Sequence, residues 1–175
     1  MIIQSILRLR HAGILALLCF ASPLSAAPLI SEFMAVNDTS YQDEDGDFSD
    51  WIEIHNPGPA PVQLDGYHLT DNAANLTKWT FPAITLNADQ YLVVFASNKD
   101  RTDPASQLHT SFRLSSGGEF LGLVAPDGTT IVSAFGPGYP PQFDDQSFGF
   151  GVPGSSTNLD LTPLWSSPGN YANVA

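Results

Sequence analysis

The chain has 175 residues, of which 43% are hydrophobic, and its formal net charge is −12. This length and hydrophobic fraction are enough for one globular domain with a buried core. The excess of acidic residues disfavours nucleic acid or an anionic membrane as a partner, because both carry negative charge. A single cysteine, Cys19, excludes an internal disulfide.

The N-terminal residues predict a secretory signal peptide at 1–27. Arg8 and Arg10 precede the apolar run Ile14–Phe20, and Ser25–Ala27 offers small residues to a signal peptidase. The apolar run is too short for a membrane-spanning helix, which needs about 20 residues, although a short membrane anchor is the alternative. Cleavage removes the one cysteine and leaves four basic and 18 acidic residues, a net charge near −14. We therefore expect a secreted, periplasmic or cell-surface protein with no membrane span after cleavage.

After this segment, short apolar runs between Gly- and Pro-rich turns predict β-strands, and helical periodicity is hard to find. The alternation at Trp51–Asn56 predicts a strand with one polar face, and the continuous apolar run Tyr91–Ser97 predicts a strand buried on both faces. Runs at a spacing of roughly 8–12 residues are typical of an all-β antiparallel sandwich with Greek-key connections. In chain order, the predicted strands lie within Leu29–Asn37, Trp51–Asn56, Val62–Leu64, Gly66–Asp71, Lys78–Pro82, Tyr91–Ser97, His109–Leu114, Glu119–Val124 and Thr130–Phe135.

The composition changes after Phe135, where glycine, proline and aromatic residues become dense. We therefore divide the exported chain into a β-sandwich domain at 28–136 and a C-terminal extension at 137–175. An irregular coil that frays is one alternative for the extension. Partial packing on the sandwich is favoured because aromatic side chains are costly to leave in water. These side chains are Tyr139, Phe143, Phe148 and Phe150.

The ordered series of motifs from Leu29 to Phe135 resembles the lamin-tail domain family, specifically its bacterial secreted branch. The two most telling pieces are Trp51–Asn56 and the Phe-Pro, Leu, polar turn and long apolar strand within Phe81–Ser97. The resemblance implies an immunoglobulin-like β-sandwich that acts as an interaction module and not as an enzyme. One departure is Ala88-Asp89, which stands where this turn commonly has a glycine.

The acidic stretch Asp43–Glu53 is the strongest candidate site. Alternating aspartates around a glycine are how oxygen-ligand loops surround a hard cation such as Ca²⁺. An EF-hand is not matched, because Gly46 is fourth in the loop and Ile54 stands where the closing glutamate belongs. The alternative is a solvated acidic turn that binds nothing. The predicted calcium ligands are Asp43, Asp45, Asp47 and Asp50.

Other polar residues give weaker signals. Glu53 lies inside a predicted strand and is expected to pair with a basic residue or to face solvent, and His55 is expected on the solvent side as well. A catalytic triad could be drawn from Ser97, His109 and Asp100, but no nucleophile motif supports it. No catalytic residue is therefore predicted.

The sequence as a whole predicts a non-enzymatic binding or structural module whose partner is an unknown protein or polysaccharide, with Ca²⁺ as the one candidate cofactor. The first alternative is a calcium-dependent carbohydrate-binding or adhesive domain, for which Trp165 is the best candidate for exposed stacking on a sugar. The second alternative is a hydrolase-associated domain.

Overall fold

Strands joined by turns and loops make up the part of the chain that the structure, a computed structural model, describes: residues 27–150 and 163–166. No helix occurs within those residues, which confirms the all-β prediction. The predicted signal segment lies outside the described residues, save for Ala27. The strands are β1 (Leu29–Met34), β2 (Asp50–His55), β3 (Val62–Gln63), β4 (His68–Thr70), β5 (Trp79–Thr80), β6 (Thr85–Leu86), β7 (Tyr91–Ala96), β8 (Leu108–His109), β9 (Leu121–Val124), β10 (Ile131–Phe135), β11 (Ser147–Phe150) and β12 (Pro163–Ser166).

These strands form two main sheets and one short ribbon. The larger sheet has the order β12-β11-β1-β2-β7-β8, the smaller has the order β10-β9-β4-β5, and β3 pairs with β6. All pairs are antiparallel except β7 with β8, where Val94 lies opposite Leu108 and Phe95 opposite His109 in parallel register. The antiparallel prediction is wrong for this pair, because the chain after Ala96 turns back to the level of Val94 before β8 starts.

The main hydrophobic core lies between the two main sheets. Ile52 and Ile54 of β2 point into it from the larger sheet, and Leu69 and Leu121 enter it from the smaller sheet. Fully burying one such side chain contributes about 1.5–3 kcal/mol. Side chains of a strand point alternately to the two faces of the sheet, so every second residue of β2 packs against the opposite sheet. This alternation produces the two-layer sandwich.

A second apolar cluster lies on the outer face of the larger sheet. Trp51 and Phe95 are buried there beside Met34, and the ring of Tyr41 stacks on Phe95 with centroids 5.5 Å apart. Tyr41 belongs to the long β1–β2 connection, which folds back over this face. The prediction of a polar solvent-facing side for β2 is therefore wrong.

Glu53 and His55 share that outer face and are also buried. Glu53 is 4% exposed, and its Oε1 accepts a hydrogen bond of 2.7 Å from Ser31 Oγ. Burial raises the pKa of Glu53 to about 7, against a smaller opposing effect of that hydrogen bond, and the charge of the cross-strand neighbour Glu32 adds to the rise. The expected basic partner is thus absent among the ion pairs of the described residues, and a hydroxyl takes its place.

His55 is held by the turn that precedes β7. Its Nε2 lies 3.0 Å from Asp89 Oδ1, and its ring stacks on Tyr91 with centroids 4.0 Å apart. Asp89 adopts a φ of 58°, the left-handed region that glycine enters most easily. The turn therefore keeps the backbone shape of a glycine turn, with an aspartate that tolerates it and contacts the histidine.

The strand β11 in the C-terminal extension joins the larger sheet beside β1. Tyr139 and Phe148 are buried against the core, whereas Phe143 is 57% exposed. The side chain of Phe150 and those of β12 lie outside the described part of the structure. The extension therefore supplies edge strands to the sandwich.

Candidate functional site

The predicted calcium ligands lie on the β1–β2 connection, which we call the acidic loop (Asn37–Ser49). Asn37 fixes its two ends, because its Nδ2 donates to the carbonyl oxygens of Tyr41 at 2.6 Å and Ser49 at 2.7 Å. Its Oδ1 accepts from the backbone N–H groups of Ser40 and Tyr41, each at 3.2 Å. A buried asparagine with this many partners gives an otherwise irregular segment one defined path.

Asp43 organises the tip of the acidic loop. Its Oδ1 accepts hydrogen bonds from the backbone N–H groups of Asp45 and Asp47 at 3.0 and 3.1 Å, and its Oδ2 accepts from Ser49 Oγ at 2.8 Å. Gly46, with a φ of 84°, allows the reversal that brings these groups together. The Asp43 side chain is fully buried, so it acts first as the structural centre of the loop.

Lys99, from the loop after β7, places its ammonium group among the three aspartates. Its Nζ lies 2.6 Å from Asp43 Oδ2, 2.7 Å from Asp45 Oδ2 and 2.9 Å from Asp47 Oδ2. Partial burial alone would lower the pKa of Lys99, but the three carboxylates outweigh it and raise that pKa well above its usual value. The three ammonium protons thus match three acceptors.

The same contacts set the protonation state of the aspartates. Burial alone would raise the pKa of Asp43, but the hydrogen bonds from Lys99 and Ser49 outweigh it and lower that pKa. Hydrogen bonds from Arg101 and Lys99 lower the pKa of Asp45 to about 2. One oxygen from each of Asp43, Asp45 and Asp47 lies within 4.8 Å of the others, an arrangement that suits a cation. Ca²⁺ at this position would have to displace the lysine ammonium group.

Arg101 extends the network along the acidic loop. Its guanidinium donates to Glu44 Oε1 at 2.9 Å and lies 2.7 Å from Asp45 Oδ2. The acids at 43, 44, 45 and 47 outnumber the two basic partners, so the loop keeps a residual negative charge. The other two basic side chains within 27–150 are also engaged, because Lys78 pairs with Asp71 at 2.6 Å and Arg113 Nε donates to the Ser97 carbonyl.

Asp50, the fourth predicted ligand, is not a member of this group. It begins β2, and its Oδ2 accepts from the backbone N–H of Leu114 at 3.3 Å. Burial raises the pKa of Asp50 to about 6, and that hydrogen bond opposes the rise only in part. The structure thus brings together Asp43, Asp45 and Asp47, and places Asp50 in a separate, structural role.

Ser97 and His109 do meet, but inside the protein. Ser97 Oγ lies 2.8 Å from His109 Nδ1, and both side chains are buried. The carboxylate that approaches His109 Nε2, at 3.9 Å, belongs to Glu44 and not to Asp100. Burial lowers the pKa of His109, against an opposing effect of Asp43. This buried hydroxyl–imidazole pair fastens β8 to the loop after β7.

Lys99 and Arg101 are the site residues that sequence reasoning missed. They follow the end of the acidic loop by 50 and 52 residues, and nothing in the sequence around them points to it. One signal was available: in a chain with so few basic residues, two of them two positions apart are natural partners for a dense acidic cluster.

Two packed sheets with a shared core are consistent with an immunoglobulin-like β-sandwich, and that is the class of protein this fold defines. The chain belongs to the lamin-tail domain family, since the family model described as Lamin Tail Domain matches residues 22–138. This is a family of non-catalytic immunoglobulin-like domains, and the resemblance drawn from the sequence motifs is confirmed at the level of the family. No curated protein matches the chain. None of the described residues forms a helix with the length and hydropathy needed to cross a bilayer.

Proposed function

We propose that this lamin-tail domain is a secreted or cell-surface binding or structural module without catalytic activity. The observation that carries this proposal is the interior: the space between the sheets is filled by apolar side chains from both layers, such as Ile52, Leu69 and Leu121. Because the interior of the domain is filled by packed side chains, partners can bind only at its outer surface and at its sheet edges. Membership of a non-catalytic family supports the same conclusion.

Turnover assays against generic esters, glycosides and nucleic acids test the absence of catalysis. We expect no activity above the uncatalysed rate with the wild-type protein. The matched variant is Ser97→Ala, which removes the hydroxyl of the buried Ser97–His109 pair. Turnover by the wild type that disappears in Ser97→Ala would overturn the proposal and make that pair a catalytic one.

Export is tested by the N-terminus of the protein recovered from producing cells. Intact-mass measurement of the exported form should give a chain that begins near Ala27 or Pro28, because the small residues before them suit a signal peptidase. Recovery of the protein only inside cells, with residues 1–26 still attached, would remove the extracellular part of the proposal.

Calcium stabilisation is the second candidate, and the convergence of the Asp43, Asp45 and Asp47 carboxylates favours it. Extracellular modules bind Ca²⁺ with dissociation constants of about 10⁻⁴–10⁻³ M, so millimolar Ca²⁺ can fill such a site. Lys99 competes for the same oxygens, so removal of its charge in Lys99→Gln should increase the affinity for Ca²⁺. The matched control is Lys78→Gln, which removes an ammonium group from the unrelated pair with Asp71.

The measurement is thermal unfolding in EDTA and in millimolar Ca²⁺. Binding to the folded state raises the midpoint through mass action. We expect a larger Ca²⁺-dependent rise in Lys99→Gln than in the wild type, and a wild-type response in Lys78→Gln. Identical midpoints in EDTA and Ca²⁺ for all three proteins would leave the acidic loop as a turn that binds no calcium and whose acids pair with Lys99 and Arg101. A calcium-dependent rise would also open the adhesive alternative to glycan binding assays.

A further inference from the structure

The strands β11 and β12 form one unit at the edge of the larger sheet. Register pairs run the whole length of both strands, from Ser147↔Ser166 to Phe150↔Pro163. The ladder from β11 to β1 is shorter and covers Glu32↔Gly149 and Phe33↔Phe148. Both strands follow residue 138, where the family match ends. We call residues 145–150 and 163–166 the C-terminal arm, in which the ladder between β11 and β12 is longer than the ladder that joins β11 to β1.

The C-terminal arm is seated on β1 by contacts specific to its sequence. Phe148 is 4% exposed, and its ring centroid lies 5.7 Å from that of Phe33 and 5.8 Å from that of Phe135. Gly149 lies flush against β1, since a Cβ there would overlap the carbonyl oxygen of Ser31. The edge of β1 therefore accepts a strand with an aromatic residue followed by glycine, and a second copy of this chain carries the same pair.

Asp145 fixes the start of the C-terminal arm. Its Oδ1 accepts hydrogen bonds from the backbone N–H groups of Asp38 and Thr39, each at 2.8 Å. Its own N–H donates to the carbonyl oxygen of Val36 at 2.8 Å. The arm thus begins with a well-defined anchor to the acidic loop as well as to β1.

The body of the sandwich ends just before this anchor. The N–H groups of Tyr139 and Gln142 donate to carbonyl oxygens within 116–119, at 2.9 and 2.7 Å. Only Phe143 and Asp144, both exposed, connect Gln142 to Asp145. This two-residue connection is the hinge.

The hinge closes through a tight turn. The N–H of Gln146 donates to the carbonyl oxygen of Phe143 at 3.3 Å, and Asp145 takes a φ of 55° to complete the reversal. A residue other than glycine in this region bears a cost of about 1 kcal/mol or more. An extended hinge would relieve that cost while leaving every contact of the arm available on another molecule. Pro140 and Pro141 precede Gln142, and they favour extended backbone where the chain leaves the body of the sandwich.

We propose that the C-terminal arm exchanges between two copies of this chain, so that β11 of each copy pairs with β1 of the other. The interaction surface is the edge of β1, and its partner is the identical arm of a second molecule. Such an interface is closed and two-fold symmetric, because each copy gives and receives the same segment. Apart from the turn at the hinge, the contacts of the arm in the exchanged dimer are those of the monomer, so hinge length and protein concentration decide between the two forms. This inference does not depend on the proposed function.

Hinge length is the first variable to test, with light scattering coupled to size exclusion on the full chain. Deletion of Phe143 and Asp144 should prevent closure and convert the protein from a concentration-dependent mixture into a dimer. Insertion of two glycines after Phe143 should instead give a monomer. Adding Gly149→Val to the deletion should return it to a monomer, since the new side chain blocks seating on β1 in either molecule. The matched control, Gly117→Val, adds the same atoms at a turn where the new Cβ meets nothing closer than 3.7 Å, and should remain a dimer.

A folded monomer after the hinge deletion would overturn the proposal. A dimer that persists with Gly149→Val would overturn it as well, because that dimer would not use the β1 edge.

Disulfide trapping gives a second test that does not rely on the deletion. The register of β11 on β1 pairs Phe33 with Phe148, and the next pair in the same antiparallel register is Met34 with Ser147. In a Cys19→Ser background, chains with Met34→Cys and chains with Ser147→Cys are unfolded together and refolded together. A disulfide between the two chains should form because exchange brings the two positions together. A single chain that carries both substitutions is the control for whether the two positions are close enough to bond. Its two cysteines should form a disulfide within one monomer. If the double variant forms its disulfide and the mixed chains form none, the arm does not exchange.

Discussion

Replacement of Glu53 by glutamine should make the protein more stable at neutral and alkaline pH. Glu53 is a buried acid whose hydrogen-bond partner is the neutral Ser31 Oγ, and glutamine keeps an acceptor oxygen for that hydroxyl. It also keeps the volume of the side chain. What it removes is the carboxyl proton, and with it the cost of ionising the group in a buried place beside Glu32.

The size of the effect follows from the pKa of Glu53, which is about 7 in the folded protein against an ordinary value of 4.5. Below pH 4.5 the group is protonated in both the folded and the unfolded chain, and its contribution to stability is complete. Between pH 4.5 and pH 7 the unfolded chain releases the proton while the folded chain retains it, so the free energy of unfolding falls as the pH rises. At about 1.4 kcal/mol for each pKa unit, the loss reaches about 3 kcal/mol.

Urea unfolding of the wild type and of Glu53→Gln at intervals from pH 4.5 to pH 8 measures this directly. The difference in unfolding free energy between the two proteins should be near zero at pH 4.5, grow through neutrality and level off above pH 7. Asp50, whose pKa is also raised, contributes to both proteins and cancels in the difference. With Glu32→Gln in both proteins, the difference should level off at a lower pH and at a smaller value, because that change removes a charge that raises the folded-state pKa of Glu53. A difference that is the same at every pH would refute the reasoning.

Three further variants test other contacts by chemical or thermal unfolding. Lys99→Gln should lose about 1–3 kcal/mol of unfolding free energy, because the buried Asp43 loses a charged partner; no loss would show that Lys99 is dispensable to the acidic loop. Ser97→Ala should lose a similar amount, about 1–3 kcal/mol, since His109 Nδ1 is left buried without a donor or acceptor; an unchanged midpoint in denaturant would contradict this. Phe148→Ala should lose about 3–5 kcal/mol, the range for a buried phenylalanine, and a smaller loss would mean that the C-terminal arm is only loosely seated.

The strands could be predicted from the sequence wherever the local residue pattern matches the way the two sheets pack. Alternation and turn residues indicated most of the strands, because period-two burial and glycine turns are local properties. The polar face assigned to β2 was wrong for a non-local reason. The environment of Glu53 depends on Ser31 of another strand, and the cover over Trp51 depends on Tyr41 of the acidic loop. No pattern within Trp51–Asn56 carries that information.

The candidate site shows the same division. Alternation of Asp43, Asp45 and Asp47 around Gly46 correctly indicated that the three carboxylates converge, because that geometry is built within one loop. The sequence of the acidic loop could not show that a lysine ammonium group lies among these carboxylates, because Lys99 comes from the loop that follows β7. The C-terminal strands were missed for another reason: short edge strands rich in glycine and proline carry little periodic signal.

All four basic side chains within 27–150 bond to groups of the same chain, and this affects the long-range electrostatics of the protein. With 17 acidic and four basic residues in the same range, this part of the molecule carries a net charge near −13. Cationic surfaces or polyamines would be drawn towards it from a distance of about one Debye length, roughly 10 Å at 0.1 M salt. Encounter rates with such partners should therefore fall steeply as ionic strength rises, whereas the packing that holds the two sheets together is indifferent to it.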